Sequence, residues 1–161
     1  MTHEITALHI RRYEARDHDE VWALHREGVL ETTPQYPETI AHYEDDLRSI
    51  EATYLAPGSC FWVAEAERGL VAMVAVQRSD AETGRLRRMR VTAAWRRRGI
   101  ARRLLETAEA FCRDQGYRRL VLDTTEHQVA AQRLYERHGF TRKGERRLGD
   151  FLVFDYEKAL R

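Results

Sequence analysis

An arginine-rich stretch surrounds a single glycine between Trp95 and Leu105. It reads WRRRGIARRLL, and Gly99 stands where a helical pattern of apolar residues begins. The first backbone N–H groups of a helix have no acceptor within the helix, and the helix dipole attracts negative charge to that end. A residue without a Cβ lets the backbone approach a phosphate closely, and arginines can add charge-assisted hydrogen bonds. The stretch predicts an anion site, although many helices begin after a glycine and bind nothing.

Two well-known phosphate-binding patterns are absent from the sequence. No GxxxxGK[ST] loop occurs, and no GxGxxG segment follows a predicted strand. Arginine also supplies all but two of the 27 basic side chains, the exceptions being Lys143 and Lys158. The number of arginines around Gly99 therefore says less about phosphate binding than the glycine itself.

Two motifs in the second half of the chain do match a known pattern. The first is R-x-x-G-x-A, formed by Arg96, Gly99 and Ala101, and the second is A-x-x-L-Y-x-x-x-G-F, read as AQRLYERHGF over 131–140. With both motifs in this order, the chain resembles the GNAT superfamily of acyl-CoA-dependent N-acyltransferases. The resemblance is strongest over residues 85–141.

The resemblance implies the fold class and the activity. It implies one α/β domain over residues 1–161, with a mixed central sheet, flanking helices and two parallel strands that splay apart at the coenzyme A site. Residues 1–84 would shape the acceptor site, and residues 85–141 would bind the cofactor. The implied activity is direct transfer of an acetyl group from acetyl-CoA to a primary amine of a small molecule, within a ternary complex.

The resemblance also assigns the cofactor contacts. The pyrophosphate would lie on the amides of the glycine loop, and the pantetheine arm would pair with the backbone of the preceding strand. Gln128 occupies the place where many members of the family have an asparagine. The implied cofactor-binding residues are Met89, Arg90, Val91, Arg96, Arg97, Arg98, Gly99, Ile100, Ala101, Arg102 and Gln128.

Tyr135 matches the tyrosine that the family places near the thioester sulfur. Its phenol, with an ordinary pKa of about 10, is neutral at pH 7 and can face a departing thiolate with a pKa of about 8.5. Proton donation and simple hydrogen bonding to the thiolate both remain open. Helical spacing from Ala131 and His138 would also suit a core aromatic.

The general base is not identified by the sequence. An alkylammonium must lose a proton before it attacks a thioester, yet the strand RLRRMRV contains no carboxylate. Glu126, His127 and Glu82 are the nearest ionisable candidates, and each is more typical of a solvated loop than of a general base. Deprotonation through water is the alternative, and we assign no base.

Hydrophobic periodicity gives the order of the elements. A strand at Leu8–Ile10 precedes a helix that begins near Asp17, and a second helix is predicted from Ile40 to Tyr54. The later elements alternate in type, as in a mixed α/β domain. They are strands at 60–66, 70–78 and 85–91, a helix at 99–115 capped by Gly116, a strand at 120–122, a helix from 129 to 138 and a strand at 151–156.

Charge is divided unevenly along the chain. Residues 1–80 carry 7 basic and 15 acidic side chains, whereas residues 81–161 carry 20 and 11. The basic half is expected to favour an anionic ligand. Asp45, Asp46 and the ETTPQY loop of the acidic half suggest a cationic amine acceptor.

The expected cell location follows from cysteine usage and hydropathy. Cys60 and Cys112 show no disulfide or metal spacing, and the apolar run from Leu70 to Val76 is too short to span a bilayer. We expect a cytoplasmic protein that requires no metal and does not bind a membrane. The resemblance is also compatible with a homodimer.

Three other functions are weighed against a small-molecule acetyltransferase. The chain could be a non-catalytic acyl-CoA sensor, or it could acetylate a protein amine. Nucleic-acid binding through the nine arginines of 85–103 is disfavoured, because the net charge is only +1 and Trp95 is the one aromatic residue in that stretch.

Overall fold

The computed structural model describes residues 8–32 and 43–160. Within them lie seven strands, β1 His9–Arg12, β2 Cys60–Ala66, β3 Gly69–Asp80, β4 Thr83–Val91, β5 Arg119–Thr125, β6 Thr141–Leu148 and β7 Phe151–Ala159. The helices are α1 His18–Thr32, α2 Asp45–Arg48, α3 Ile50–Tyr54, α4 Ile100–Asp114 and α5 Val129–Arg137. Short 3-10 turns at Ala15–Asp17 and Ala93–Trp95 precede α1 and α4.

The seven strands form one sheet in the order β1-β2-β3-β4-β5-β7-β6. Every neighbouring pair is antiparallel except β4 and β5, which pair in parallel only from Thr83 opposite Arg119 to Arg85 opposite Val121. Beyond Arg85 the two strands continue without pairing to each other. The mixed α/β architecture and the splayed parallel strands are thus as predicted.

Strands β2 and β3 are buried on both faces. Trp62 and Val74 pack with α4 in one hydrophobic cluster, whereas Phe61 and Met73 pack with α1, α2 and α3 in another. Strands covered on both faces read as continuous apolar runs, which explains the sequence of β2 and β3.

The position and the buried face of helix α4 agree with the prediction from the sequence. It buries the predicted face of Ile100, Leu104, Leu105, Ala108 and Cys112. After the helix, Gly116 adopts a φ of +80°, and the Tyr117 amide donates to the Cys112 carbonyl at 2.9 Å. Such a left-handed residue is a common way to end a helix.

The predicted order of elements needs two corrections. The predicted second helix is two short helices, α2 and α3, separated at Ser49, and its predicted start at Ile40 lies outside the described residues. Strand β6 was not predicted, because every residue from Thr141 to Leu148 is exposed and the segment has no apolar periodicity. It forms an edge strand, where charged side chains discourage pairing with other chains.

Candidate active site

A cavity of about 1320 Å³ lies where β4 and β5 diverge. The last residues of β4, the loop after it, the first turn of α4 and the start of α5 form its walls. Among the predicted cofactor residues, all but Arg98 line it: Met89, Arg90, Val91, Arg96, Arg97, Gly99, Ile100, Ala101, Arg102 and Gln128. The fold brings residues from three separate segments to one opening.

The entrance of α4 presents backbone amides to this cavity. Gly99 precedes the helix with a φ of +77° and a ψ of 12°, and no side chain caps the helix N-terminus. The first helical hydrogen bond runs from the Arg103 amide to the Gly99 carbonyl at 3.2 Å, so the amides of Ile100, Ala101 and Arg102 have no acceptor within the helix. Uncapped amides and the helix dipole suit a phosphate group at this end.

The arginines near Gly99 have different partners. Arg96 makes two hydrogen bonds to Glu31, at 2.6 and 2.7 Å, and a third from Nε to the Val91 carbonyl at 3.0 Å. Arg98 lies over the Trp95 ring, with its guanidinium carbon 4.6 Å from the ring centroid. Arg97 lines the cavity with a φ of +63°. Its side chain has no ion pair among the described residues, so the loop offers one uncommitted guanidinium to an anion.

Two glutamates of α1 hold the loop between β4 and α4. Glu27 accepts hydrogen bonds from the Thr92 hydroxyl at 2.8 Å and from the Ala93 amide at 3.1 Å, and Glu31 binds Arg96. The two glutamates are four residues apart and therefore share a helix face. Sequence reasoning missed both, because their partners lie far along the chain.

Tyr135 lies in the core beside the cavity. Its side chain is 6% exposed, and its ring contacts those of Phe140 and Tyr156 at centroid distances of 5.6 and 6.4 Å. Burial raises the pKa of Tyr135 to about 12, although the positive charge of Arg90 acts in the opposite direction. The phenol is therefore neutral over the whole physiological range.

The turn between β5 and α5 is held by Gln128. Its Oε1 accepts hydrogen bonds from the Thr124 hydroxyl at 2.5 Å and the Thr125 amide at 3.4 Å. Of the three base candidates, only His127 lines the cavity, and its side chain is 55% exposed. Glu126 lies 3.7 Å from it, whereas Glu82 pairs with Arg118 in the turn before β4.

A β-bulge in β4 directs Arg87, Arg88 and Arg90 toward the face of the sheet that α1 and α2 cover. Met73 pairs with Arg90 and Ala75 with Arg87, so Arg88 and Met89 together stand opposite a single residue of β3, and Arg88 has a φ of +59°. Leu86, Met89 and Val91 consequently pack on the α4 side, while the arginines face α1 and α2. The bulge explains why the apolar residues of this strand do not alternate regularly.

The carboxylates that suggested a cationic acceptor are paired within the protein. Asp46 is buried and accepts hydrogen bonds from the guanidinium of Arg88, with Nε at 2.9 Å, and from the Tyr54 hydroxyl at 2.5 Å. Burial would raise the pKa of Asp46, but these bonds and the charge of Arg88 lower it overall. Asp45 pairs with Arg48 at 2.8 Å. Asp46 is thus committed to Arg88, the exposed Asp45 makes only a surface pair, and residues 33–36 of the ETTPQY loop lie outside the described residues, so the cationic acceptor stays a prediction.

A second buried pair lies beneath α1. His25 Nε2 is 2.6 Å from Glu44 Oε2, and both side chains are almost fully buried. Burial lowers the pKa of His25, and the charge of Arg88 adds to this effect, so the imidazole is neutral and donates from Nε2. The sequence showed no signal for this pair.

The described segments contain neither a metal-binding cluster nor a membrane-spanning helix. Within them, no three His, Cys, Asp or Glu side chains are grouped in a way that would hold a metal ion. None of the helices described has both the length and the apolar character needed to span a membrane.

Curated proteins with similar sequences are named N-acetyltransferases or N-acetylaspartate synthetases. Human N-acetyltransferase 8 is 42% identical over 106 residues, a match that covers 62% of this chain and 47% of that protein. N-acetylaspartate synthetase from Danio rerio is 45% identical over 102 residues, covering 62% of this chain and 36% of that protein. The matched region thus spans half or less of the length of these relatives.

Solved structures show the same fold. An acetyltransferase of the GNAT family from Staphylococcus aureus Mu50 superposes with a TM-score of 0.86 at 23% identity, covering 96% of this chain and all of that one. An acetyltransferase from Streptococcus agalactiae 2603 gives the same TM-score and identity, covering 97% of this chain and all of that one.

The family model agrees with both comparisons. The model described as the acetyltransferase (GNAT) family matches residues 12–140, which include both motifs, Tyr135 and every cavity-lining residue except Lys158. The chain belongs to the GNAT acetyltransferase family.

Proposed function

We propose that this protein transfers an acetyl group from acetyl-CoA directly to a primary amine of a small molecule, within a ternary complex. The observation that carries the proposal is the cavity between β4 and β5, which has the uncapped amides of α4 at one end and Tyr135 beside it. Family membership and the names of the relatives support acetyl transfer. The name N-acetylaspartate synthetase refers to a small-molecule product, which favours a small acceptor over a protein amine.

The residues at the cavity fit coenzyme A. The amides of Ile100, Ala101 and Arg102 would bind the pyrophosphate, and the uncommitted Arg97 would add a charged contact. Beyond Arg85, β4 has β3 on one side and no strand on the other, so its backbone can pair with the extended pantetheine arm. Acetyl-CoA, when bound, supplies the thioester from which the acetyl group is transferred.

In this proposal Tyr135 acts on the departing thiolate. A phenol with a pKa of about 12 gives up its proton reluctantly, since an ordinary thiol has a pKa of about 8.5. The difference corresponds to roughly 5 kcal/mol at 1.36 kcal/mol per pKa unit. We therefore propose that Tyr135 donates a hydrogen bond to the thiolate and does not transfer its proton completely.

Deprotonation of the amine is assigned to water. His127 is the nearest candidate at the cavity, but its exposed position is that of a loop residue.

The proposed location is the cytoplasm, because Cys60 and Cys112 are both buried free thiols, as is typical of reducing compartments.

A thiol-release assay tests the proposed function. Purified protein, acetyl-CoA and a panel of small primary amines should release coenzyme A in equal amounts to an N-acetylated product seen by mass spectrometry. A protein that fails to bind coenzyme A in calorimetry would contradict the proposal. Tight binding without turnover on any amine would instead identify a non-catalytic acyl-CoA sensor.

A further inference from the structure

Arg90 extends from β4 across the inner surface of α1. Helix α1 has a glycine, Gly28, at the crossing point. A Cβ built on Gly28 would lie only 2.6 Å from both Cδ and Nε of Arg90. The guanidinium therefore fits against the helix only because position 28 has no side chain, and both residues line the cavity.

Arg90 differs from Arg88 and Arg96 in forming no ion pair within the described part of the chain. Arg88 is neutralised by Asp46, and Arg96 by Glu31. Among residues 8–32 and 43–160, the Arg90 guanidinium forms no hydrogen bond and no ion pair with another side chain or carbonyl. Arg90 is partly buried, and this burial lowers its pKa, although the charge of the nearby Glu31 acts in the opposite direction. A partly buried guanidinium without a hydrogen-bonded anion gains from a ligand that pairs with it.

The direction of Arg90 separates it from the phosphate site. Met89 and Val91 pack on the α4 side of the sheet, whose helix entrance bears the amides around Gly99. Arg90 lies between them in sequence and faces the opposite side, toward α1. Arg90 and Tyr135 are nonetheless close enough for each to shift the pKa of the other. A group bound by this guanidinium would lie near the reacting thioester but away from the pyrophosphate.

We propose that the acceptor carries a carboxylate as well as its amine, and that the Arg90 guanidinium binds this carboxylate beneath Gly28. The acceptor class is then the amino acids and similar small amino carboxylates. The planar guanidinium suits this role because it can make two parallel hydrogen bonds to a carboxylate. The inference rests on the proposed function, and it replaces the cationic acceptor that the sequence suggested.

Matched pairs of amines test the inference. Each standard amino acid is compared with its primary amide and, where available, with the amine that lacks the carboxyl group, in the thiol-release assay. A charge-assisted hydrogen bond contributes about 1.5–3 kcal/mol, and its loss lowers kcat/KM by about 10- to 100-fold. The kcat/KM of the best amino acid should therefore exceed that of its amide by about 10-fold or more. Equal use of acids and amides would overturn the inference while leaving the proposed function intact.

Variants of Arg90 assign the preference to this residue. Arg90→Met should raise the KM for the amino acid by about 10- to 100-fold and leave the KM for acetyl-CoA within about threefold. Arg90→Lys should restore part of the preference, since it keeps the charge but loses the planar fork. Arg133→Met removes an exposed arginine from α5 and serves as the matched control, with no effect on either KM. An Arg90→Met protein in which only the KM for acetyl-CoA rises would contradict the inference.

Two further measurements test the inference if the Arg90→Met variant does not fold or if the protein acetylates no amine. Gly28→Ala keeps the charge but displaces the guanidinium, and it should reduce the preference for acids over amides without altering coenzyme A binding. Binding of N-acetyl amino acids, compared with their amides by calorimetry, does not depend on catalysis. If no amine is acetylated, the proposed function fails, but a retained preference for the N-acetyl acids would still support the carboxylate site. Absence of that preference would reject it.

Discussion

Tyr135 combines a core position with the position expected of a catalytic phenol. The motif A-x-x-L-Y-x-x-x-G-F predicts a phenol at the site, but the pKa of Tyr135 depends on burial against Phe140, the last residue of the motif, and against Tyr156, which lies outside it. The two readings of the sequence, core aromatic and functional phenol, are compatible in the structure. A single position can satisfy both because only the hydroxyl needs to reach the site.

Replacing Tyr135 tests its proposed role. Tyr135→Phe keeps the ring packing but removes the donor, so kcat should fall by about 100-fold with little change in the KM for acetyl-CoA. Since burial raises the pKa of Tyr135 to about 12, the wild-type kcat should show no decrease between pH 8 and about 10 from loss of this proton. Steady-state kinetics across this pH range measure both effects.

The control for this experiment is a remote tyrosine. Tyr117→Phe removes a phenol that donates to the Gly58 carbonyl at 2.6 Å, and it should change stability but not kcat. Unchanged turnover in Tyr135→Phe would reject the proposed role of the hydroxyl.

At the scale of elements, the entrance of α4 was predictable and the shape of β4 was not. A glycine at the start of an amphipathic pattern is visible in the sequence, and Gly99 accordingly precedes α4. The bulge at Arg88 and the contacts of Glu27 and Glu31 depend on how β3 and α1 pack against β4. Pairing between segments distant in sequence leaves no local periodicity, and the exposed strand β6 leaves none either.

The loop before α4 should depend on its backbone more than on its arginines. A Cβ on Gly99 would meet no atom within 4 Å, so the restriction at this position comes from the φ of +77° and not from crowding. Gly99→Val places a β-branched residue in the left-handed region at a cost of at least about 1–2 kcal/mol, and the loop should shift. The Kd for coenzyme A should then rise about tenfold or more.

The matched comparison is Arg103→Ala, measured by the same calorimetric titration. Arg103 lines a separate groove near β1 and Trp62, so its removal should change the Kd by less than about threefold. A larger effect for Arg103→Ala than for Gly99→Val would show that the arginines, and not the loop backbone, hold the phosphate.

Across the whole molecule, part of the charge difference between the two halves is neutralised internally. Asp46 and Glu31 of the acidic half pair with Arg88 and Arg96 of the basic half, and these contacts bring α2 and α1 against β4 and its following loop. Counting charges predicted that the second half of the chain favours an anionic ligand. Composition contains no information about pairing, so the count overstated the charge that is available to ligands.

The Asp46–Arg88 contact should contribute strongly to stability. Asp46→Asn leaves a buried guanidinium without its charge partner, and the free energy of unfolding should fall by about 3–5 kcal/mol at pH 7. The pKa of Asp46 is lowered in the folded protein, so this contribution is present above the unfolded pKa of about 3.9 and is lost as the pH falls below it. Urea unfolding of the wild-type protein and of the Asp46→Asn variant should therefore show a difference in the free energy of unfolding that becomes smaller in acid.

Asp45→Asn is the matched control, since the Asp45 side chain is 80% exposed and its bond to Arg48 is a surface contact. Its effect should stay within about 0.5 kcal/mol. Equal losses for the two variants would mean that Asp46 and Arg88 are not a buried structural pair.

The contact between Gly28 and Arg90 has a consequence for comparing related proteins. Because the atoms nearest to Gly28 are at the flexible end of Arg90, a larger residue at position 28 would displace the guanidinium without unfolding the helix. The two positions should therefore change together during evolution, a glycine in α1 accompanying an arginine near the end of β4. Where family members have only the glycine or only the arginine, we expect a different class of acceptor. The residues at these two positions should therefore indicate which class of substrate a family member uses.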